Sequence, residues 1–195
     1  CSLTTSVASL RWFVKTNFIF SRNLTRRRKE TTLTRMRKAV FPGTFDPPTN
    51  GHLNLIDRAA RIFDELYVVI ATNQAKQCLF SGKEREEMMK DILKEYGNVR
   101  VMPWDKLIVD FAVKYDAGVI IRGVRALADF SYEFELAITN KQLKPEIDIM
   151  FMPTDPKFFV LRSSAIKEIV LYGGDISTMV PKRVADALKE RLLGS

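Results

Sequence analysis

From Met36 onward, short apolar runs alternate with segments of helical periodicity, and this alternation restricts the possible folds more than any other feature of the chain. The runs are continuously apolar, which is typical of strands buried on both faces. We predict strands at 38–41, 66–71, 99–102, 119–121 and 147–152. We predict helices from about residue 51 and over 83–96, 107–115, 129–143, 164–172 and 182–193. This order predicts an α/β fold with a doubly wound, five-stranded parallel sheet.

Ligands of such a sheet bind beyond the carboxyl ends of the strands, at the point where the winding direction reverses. The residues that follow each predicted strand are therefore the first candidates for chemistry. Neither the Gly-x-Gly-x-x-Gly pattern nor the P-loop pattern occurs in the chain. Their absence argues against a standard dinucleotide-binding dehydrogenase and against a P-loop kinase.

The positive charge is concentrated in the first 35 residues. The whole chain has a net charge of +8, from 31 basic and 23 acidic side chains. Residues 1–35 contain eight basic side chains and one acid, which leaves 23 basic and 22 acidic side chains, or +1, for residues 36–195. A domain this close to neutrality does not attract polyanions as a whole, so we expect no nucleic-acid partner.

Residues 1–35 form a basic N-terminal extension rich in Ser, Thr and Arg. This composition is typical of an organellar transit peptide. The alternative, which we favour, is that the extension lies outside the natural protein, because Met36 directly precedes the first predicted strand. On either interpretation we expect the extension to be disordered and residues 36–195 to form one domain.

The cysteines, the single histidine and the lengths of the apolar runs indicate the redox compartment and argue against a zinc site and a membrane partner. The two cysteines, Cys1 and Cys78, do not make a disulfide framework, so we expect a reducing compartment, the cytoplasm. His52 is the only histidine, so we expect no zinc cluster. No apolar run approaches the roughly 18–20 residues of a membrane-spanning helix, so we expect no membrane partner.

The junction after the first strand is a stiff turn, with three prolines and two glycines within residues 42–51. It places Thr44 at the carboxyl end of the strand and His52 in the first turn of the next helix. Backbone N–H groups and the helix dipole favour an anion there. A lone histidine is more often structural than catalytic, but this placement favours a phosphate-binding role. We expect Asn50 to cap the helix.

Two arginines, Arg122 and Arg125, follow the fourth strand with Gly123 between them. Guanidinium groups bind phosphate oxygens bidentately, so this spacing predicts two cations directed at one polyphosphate. A solvated surface pair is the alternative. After the fifth strand, Ser163 and Ser164 are expected to cap the next helix.

These junctions carry a family resemblance. Residues 43–47 (GTFDP) and 49–52 (TNGH) resemble the opening motif of the nucleotidyltransferase superfamily, an element similar to the "HIGH" motif of class I aminoacyl-tRNA synthetases. Residues 121–133 (IRGVRALADFSYE) narrow the resemblance to the phosphopantetheine adenylyltransferases of coenzyme A biosynthesis. The resemblance covers about four-fifths of the chain and implies a Rossmann-like nucleotidyltransferase fold for residues 36–195.

The resemblance also implies roles for particular residues. His52 and Thr44 would be catalytic, and the acceptor would be bound by Thr44, Lys76, Ile108 and Arg122. The implied ATP-binding residues are Thr44, Phe45, His52, Gly123, Val124, Arg125, Glu133, Phe158, Phe159, Val160, Leu161, Arg162, Ser163 and Ser164. Without the resemblance, Lys76 would be taken for a solvated loop lysine and Ile108 for core. Arg162 and Pro48 depart from the family pattern, which usually has a small hydroxyl residue and an aliphatic residue at these positions.

The implied reaction is transfer of AMP from ATP to 4′-phosphopantetheine, with Mg²⁺ on the ATP phosphates and with no protein-bound metal. A homohexamer is implied by the same resemblance. A phosphate monoester is already nucleophilic at neutral pH, so catalysis would rest on positioning and charge stabilisation. Two alternatives remain open. One is an adenylyl- or cytidylyltransferase with another acceptor, such as nicotinamide mononucleotide or a sugar or glycerol phosphate. The other is a non-catalytic sensor of ATP or coenzyme A.

Overall fold

The structure is a computed structural model, and it describes residues 36–72 and 77–194. The N-terminal extension and Lys76 lie outside these ranges, so the predictions made for them stay predictions.

The sheet has five strands, and all four of its pairings are parallel. The strands are β1 (Lys38–Gly43), β2 (Glu65–Ala71), β3 (Val99–Trp104), β4 (Val119–Val124) and β5 (Asp148–Pro153). Their spatial order is β3-β2-β1-β4-β5, so the winding direction reverses between β1 and β4. The predicted doubly wound parallel sheet is confirmed, because β1 pairs with β2 on one side and with β4 on the other, so the chain extends the sheet first in one direction and then in the opposite one.

Six α-helices and a short 3₁₀ turn cover the sheet in the described part of the chain. The helices are α1 (Asn50–Ile62), α2 (Gly82–Ile92), α3 (Ile108–Lys114), α4 (Leu127–Leu143), α5 (Ser163–Leu171) and α6 (Lys182–Leu193). The 3₁₀ turn spans Pro156–Phe158. Most element ends lie within two residues of the prediction, and two differ by more: α2 ends at Ile92 and not at 96, and β4 continues to Val124 and not only to 121. Arg122 and Gly123 therefore belong to the strand and not to the loop after it.

Successive residues of the strands face two different cores, as expected for a sheet covered on both faces. Ala39 and Phe41 of β1 pack with Leu55, Ile56 and Ala59 of α1. Val40 of β1 points to the other face and packs with Val109 and Phe111 of α3. A third cluster joins α2, α5 and α6 through residues such as Met88, Ile166 and Leu188. Within residues 36–72 and 77–194, none of the helices has the length and apolar character needed to span a bilayer.

The caps of two helices differ from the prediction. Thr49, and not Asn50, caps α1, because its hydroxyl oxygen accepts the backbone N–H of His52. The Asn50 side chain instead donates to the carbonyl of Thr178 at 2.8 Å. α5 has no side-chain cap, and the Ser163 hydroxyl donates to the carbonyl of Pro47 at 3.0 Å. In both cases the side chain donates its hydrogen bond to a backbone carbonyl more than 100 positions away along the sequence. Local sequence rules do not predict such partners.

Candidate active site

A cavity of about 470 Å³ opens beyond the carboxyl ends of β1 and β4, at the reversal point of the sheet. Gly43 from β1, Arg122 from β4 and His52 from α1 contribute to its lining, with Ser164 from the start of α5. The main chain brings these groups together because parallel strands end at the same edge and each is followed by a helix. We call this space the nucleotide cavity, after the ligand that the resemblance implies for it.

A second cavity of about 580 Å³ adjoins the first. Thr44, Asp46, Gln77 and Lys167 line only the second, whereas His52, Ser163 and Ser164 line both. We call this space the acceptor cavity, after the substrate that the resemblance implies for it, and its lining includes Gln77 and Cys78, which follow Lys76. His52 and the start of α5 therefore form the boundary between the two spaces.

The His52 ring has a defined orientation and tautomer. Its Nδ1 atom accepts the backbone N–H of Thr49 at 3.0 Å, so in the neutral ring the proton is on Nε2. The ring also packs edge-on against Phe45, with centroids 5.1 Å apart. Phe45 has φ of 50° and folds back over Gly43, where a Cβ atom would be 2.7 Å from the Phe45 ring. The glycine of the GTFDP motif thus makes room for the aromatic ring that supports the histidine.

Burial is the main reason that the pKa of His52 falls from 6.5 to about 4, and the nearby positive charge of Arg125 lowers it further. The imidazole is therefore neutral at physiological pH and donates one N–H from Nε2. A neutral donor can stabilise negative charge that develops on a phosphoryl oxygen. The shift also bears on stability, because the unfolded chain takes up this proton below about pH 6.5 and the folded chain does not. His52 therefore lowers the stability of the fold as the pH falls from about 6.5 towards 4.

His52 is the only histidine, so its titration can be followed directly. In an NMR titration of tag-free protein, we expect the imidazole carbon and proton shifts to report a pKa of about 4. Removing the Arg125 charge by Arg125→Met should raise this pKa, whereas removing the distant charge of Arg100 by Arg100→Met should leave it unchanged. A pKa near 6.5 in the wild-type protein would show that the ring is solvated and not held as described.

Both predicted phosphate-binding arginines are held by carboxylates of α4. Arg122 donates two hydrogen bonds of 2.6 Å from Nε and Nη2 to Glu133. Arg125 donates to Asp129 at 3.1 Å and to the carbonyl of Leu161 at 3.1 Å. The carboxylates fix the guanidinium planes, and they offset two of the three arginine charges that Arg122, Arg125 and Arg162 bring to the nucleotide cavity.

Gly123 has a packing reason to be glycine. A Cβ atom at this position would lie 2.4 Å from Cδ1 of Leu55, a buried residue of α1. The absence of a side chain allows β4 to approach α1 closely, so that the arginines on either side of Gly123 reach the cavity that His52 lines.

The structure brings most of the predicted site residues together, while their binding roles stay predictions. The nucleotide cavity is lined by His52, Arg122, Gly123, Arg125, Glu133, Phe158, Leu161, Arg162, Ser163 and Ser164. Thr44 and Phe45 line the acceptor cavity. Val124, Phe159 and Val160 line neither space, and Phe159 and Val160 are exposed. Ile108 packs against the core under α3, which agrees with its interpretation without the resemblance.

Three charged residues that line the two cavities were missed from the sequence. Asp129 could have been found, because a carboxylate in the first turn of a predicted helix, four residues after Arg125, is well placed to pair with that arginine. Lys167 and Asp46 form an ion pair at 2.9 Å. They are 121 positions apart in the sequence, so no local pattern predicts that they pair. Burial alone would raise the pKa of Asp46, but hydrogen bonds from the N–H groups of Leu79 and Phe80 and from Lys167 lower it below its ordinary value.

Metal ligands are not grouped in the described residues. Across 36–72 and 77–194, no cluster of three or more His, Cys, Asp or Glu side chains could hold a metal ion.

Known proteins share both the sequence and the fold. The cytidylyltransferase-like family matches residues 40–169. The phosphopantetheine adenylyltransferase of Dictyoglomus turgidum is 47% identical over 156 residues, which cover 80% of this chain and 98% of that protein. The enzyme of the same name from Streptomyces coelicolor is 45% identical over 157 residues, with 80% of this chain and 98% of the relative covered.

A solved structure from Vibrio parahaemolyticus, named as a nicotinate-nucleotide adenylyltransferase, matches with a TM-score of 0.57 and 18% identity. The match covers 79% of this chain and 99% of that chain, and at this identity it supports the fold alone. The sequence relatives are much closer, and they span nearly their whole length. With the motif residues gathered at the reversal point of the sheet, the chain belongs to the phosphopantetheine adenylyltransferase family of the cytidylyltransferase-like proteins.

Proposed function

We propose that the chain transfers AMP from ATP to 4′-phosphopantetheine and releases dephospho-coenzyme A and pyrophosphate. One observation carries the proposal beyond family membership: His52, Arg122 and Arg125, which come from separate elements, line a single cavity at the reversal point of the sheet. A neutral N–H donor and two oriented guanidinium groups suit a reaction that joins two phosphate-bearing substrates.

The proposed step is a single in-line displacement. A terminal phosphate oxygen of the acceptor forms a bond to the α-phosphorus of ATP, and the bond from that phosphorus to the oxygen bridging to the β-phosphorus breaks. The bonding electrons leave with pyrophosphate, so no residue has to accept a proton from the nucleophile. The protein contributes by holding two mutually repelling anions in line and by stabilising the charge that develops on the transferring group.

Each residue then has a distinct task. His52 donates its Nε2–H to an oxygen of the transferring phosphoryl group, and Thr44 lies on the acceptor side of the histidine. Arg125 and the start of α5 bind the departing pyrophosphate. Arg122, which lines the nucleotide cavity, binds the acceptor phosphate where that phosphate meets ATP, and Lys76 binds the same phosphate. The missing side-chain cap of α5 supports this assignment, because its first backbone N–H groups are left for an anion.

We propose that Mg²⁺ is bound through the ATP phosphates. Asp129 and Glu133, the two carboxylates of the nucleotide cavity, each form an ion pair with an arginine, which leaves them poorly suited as metal ligands. When bound, the ion neutralises charge on the polyphosphate.

A panel of substrates tests the proposal against its nearest alternatives. Pyrophosphate release would be measured with ATP or CTP and with 4′-phosphopantetheine, nicotinamide mononucleotide or glycerol 3-phosphate as acceptor. We expect release only with ATP and 4′-phosphopantetheine at an appreciable rate. Preference for another pair would favour a different nucleotidyltransferase, and ATP binding without any release would favour the non-catalytic sensor.

We also propose that the protein forms a homo-oligomer, a hexamer, through α4. Apolar side chains are exposed on more than one side of this helix, which is typical of a helix that is buried in an assembly. Those exposed are Leu127, Phe130, Tyr132, Phe134, Leu136, Ile138 and Leu143, with Met150 on the neighbouring edge strand β5.

A charge on this face should break the assembly. Phe134 is 47% exposed, and we expect Phe134→Glu to reduce the mass measured by light scattering from that of a hexamer to a smaller species. Tyr172 is 85% exposed just beyond α5, and Tyr172→Glu serves as the matched control that should leave the mass unchanged. Equal masses for the wild-type protein and both variants would contradict the assigned interface.

Cytoplasmic localisation remains a proposal, based on the number and spacing of the cysteines. Cys78, the one cysteine in the described ranges, is a free thiol.

A further inference from the structure

Two charged residues outside the proposed chemistry are buried beside the acceptor cavity. Asp46 is 7% exposed and Arg85 is 4% exposed, and they are the only charged residues among the described ones that are buried. Burying a charge costs free energy unless the charge is well bonded, so such residues are retained where their bonds serve a purpose. The partners of both residues are mostly main-chain groups.

The Asp46 carboxylate joins three walls of the acceptor cavity. It lies in the turn after β1, and its two oxygens accept the backbone N–H groups of Leu79 and Phe80, both at 2.9 Å. The oxygen that accepts Leu79, Oδ2, also accepts a hydrogen bond from Lys167 of α5 at 2.9 Å. This one carboxylate therefore connects three segments: the turn that carries Thr44, the chain that leads into α2, and α5, whose start separates the two cavities.

Arg85 makes the complementary set of bonds. From α2 its Nη1 donates to the carbonyls of Thr44 at 2.6 Å and Ala71 at 3.1 Å. Its Nε donates to the carbonyls of Phe80 at 3.1 Å and Ser81 at 3.3 Å. The guanidinium thus holds the end of β2, the start of α2 and the main chain of Thr44 itself. A lysine could not replace it, because one ammonium group lacks the fork that spans these carbonyls.

We propose that Asp46 and Arg85 are positioning residues for the transfer: together they fix the main chain of residues 44–46 against that of residues 79–81. This arrangement sets the position of Thr44 beside His52 and the width of the acceptor cavity. The inference rests on the proposed function and adds residues that touch neither substrate. Because their bonds go to the walls of the acceptor cavity, their loss should affect the acceptor and spare the nucleotide.

Asp46→Asn is the mildest test. The amide oxygen can keep the bonds from Leu79 and Lys167, which share one carboxylate oxygen, but the NH₂ group then faces the backbone N–H of Phe80. We expect kcat/KM for 4′-phosphopantetheine at saturating ATP to fall roughly 10–100-fold, because displacing a reacting group by about 1 Å costs this much. We expect the dissociation constant of ATP, measured by calorimetry, to change less than about threefold, since the nucleotide cavity keeps its lining.

Arg85→Lys is the second variant. Like Asp46→Asn, it should lower kcat/KM for 4′-phosphopantetheine and leave the dissociation constant of ATP nearly unchanged. Asp175→Asn is the matched control: its carboxylate also accepts a backbone N–H, from Ser177 at 2.9 Å, but it lines neither cavity. The control should be unchanged in both measurements. Hydrogen exchange at the Phe80 amide gives a readout without turnover, and it should accelerate in Asp46→Asn.

The inference is overturned if active wild-type protein is obtained and Asp46→Asn and Arg85→Lys leave acceptor kcat/KM unchanged. It is also overturned if both variants weaken ATP binding and acceptor turnover by the same factor, which is the signature of general unfolding. Wild-type protein that binds ATP and transfers nothing would instead overturn the proposed function.

Discussion

Replacing His52 by alanine is expected to lower kcat by roughly 10²–10³-fold, the usual cost of removing one donor to a developing oxyanion. The fold should remain, because the Thr49 hydroxyl still accepts the backbone N–H of residue 52, although the bond from the Thr49 N–H to the imidazole is lost. KM for ATP should change little, since the Nε2–H bond is formed mainly in the transition state. Steady-state kinetics with both substrates, together with a thermal unfolding scan, measure these effects.

His52→Gln is the informative companion to the alanine variant. A glutamine amide can place an N–H group near the position of Nε2, so part of the lost rate should return. The Phe45 packing would be lost in both variants, so it cannot account for a difference between them. Glutamine can also accept the backbone N–H of Thr49, so the thermal unfolding scans of the two variants are compared as well. Near-normal turnover in His52→Ala would refute the assigned role.

The second large effect is expected at Arg122. Arg122→Ala should lower kcat/KM for 4′-phosphopantetheine by roughly 10²–10³-fold, because it removes an oriented cation from the proposed acceptor side. It also leaves Glu133, whose side chain is 14% exposed, without its bidentate partner. The remaining carboxylate would then repel the acceptor phosphate, and this adds to the loss.

A double variant separates the two causes. Glu133→Gln removes the carboxylate and keeps the Arg122 cation, so we expect it to lose much less activity than Arg122→Ala. Combining both substitutions should recover part of the rate lost in Arg122→Ala, because the unpaired negative charge is gone. If Arg122→Ala stays within about threefold of wild type, Arg122 is not the group that binds the acceptor phosphate.

The sheet was predictable from the sequence because its strands are largely apolar, and the central strands β1 and β2 are buried on both faces. β2 and β5 were located almost to the residue. The end of β4 was placed too early, at 121, because Arg122 is polar and Gly123 is a poor strand former. Both residues continue the strand because Gly123 allows close packing on Leu55 and Arg122 is directed towards Glu133.

Of the site, only the residues that belong to the sequence motifs could be predicted. His52, Arg122 and Arg125 could be named because strand ends of a parallel sheet converge. The groups that hold them could not be found in the same way. Asp46 bonds to Leu79, Phe80 and Lys167, which lie 33, 34 and 121 positions away in the sequence. Arg85 bonds to Thr44, which lies 41 positions away. Such bonds depend on the completed fold, so neither periodicity nor capping rules indicate them.

Adenylyl transfer at this pair of cavities is tested most directly by following the α-phosphorus. The protein would be incubated with Mg²⁺, 4′-phosphopantetheine and ATP carrying a radioactive α-phosphate, and the products would be separated. The label should appear in dephospho-coenzyme A, with one unlabelled pyrophosphate released for each labelled product. Label that remains in ATP or that is released as free AMP would contradict the transfer.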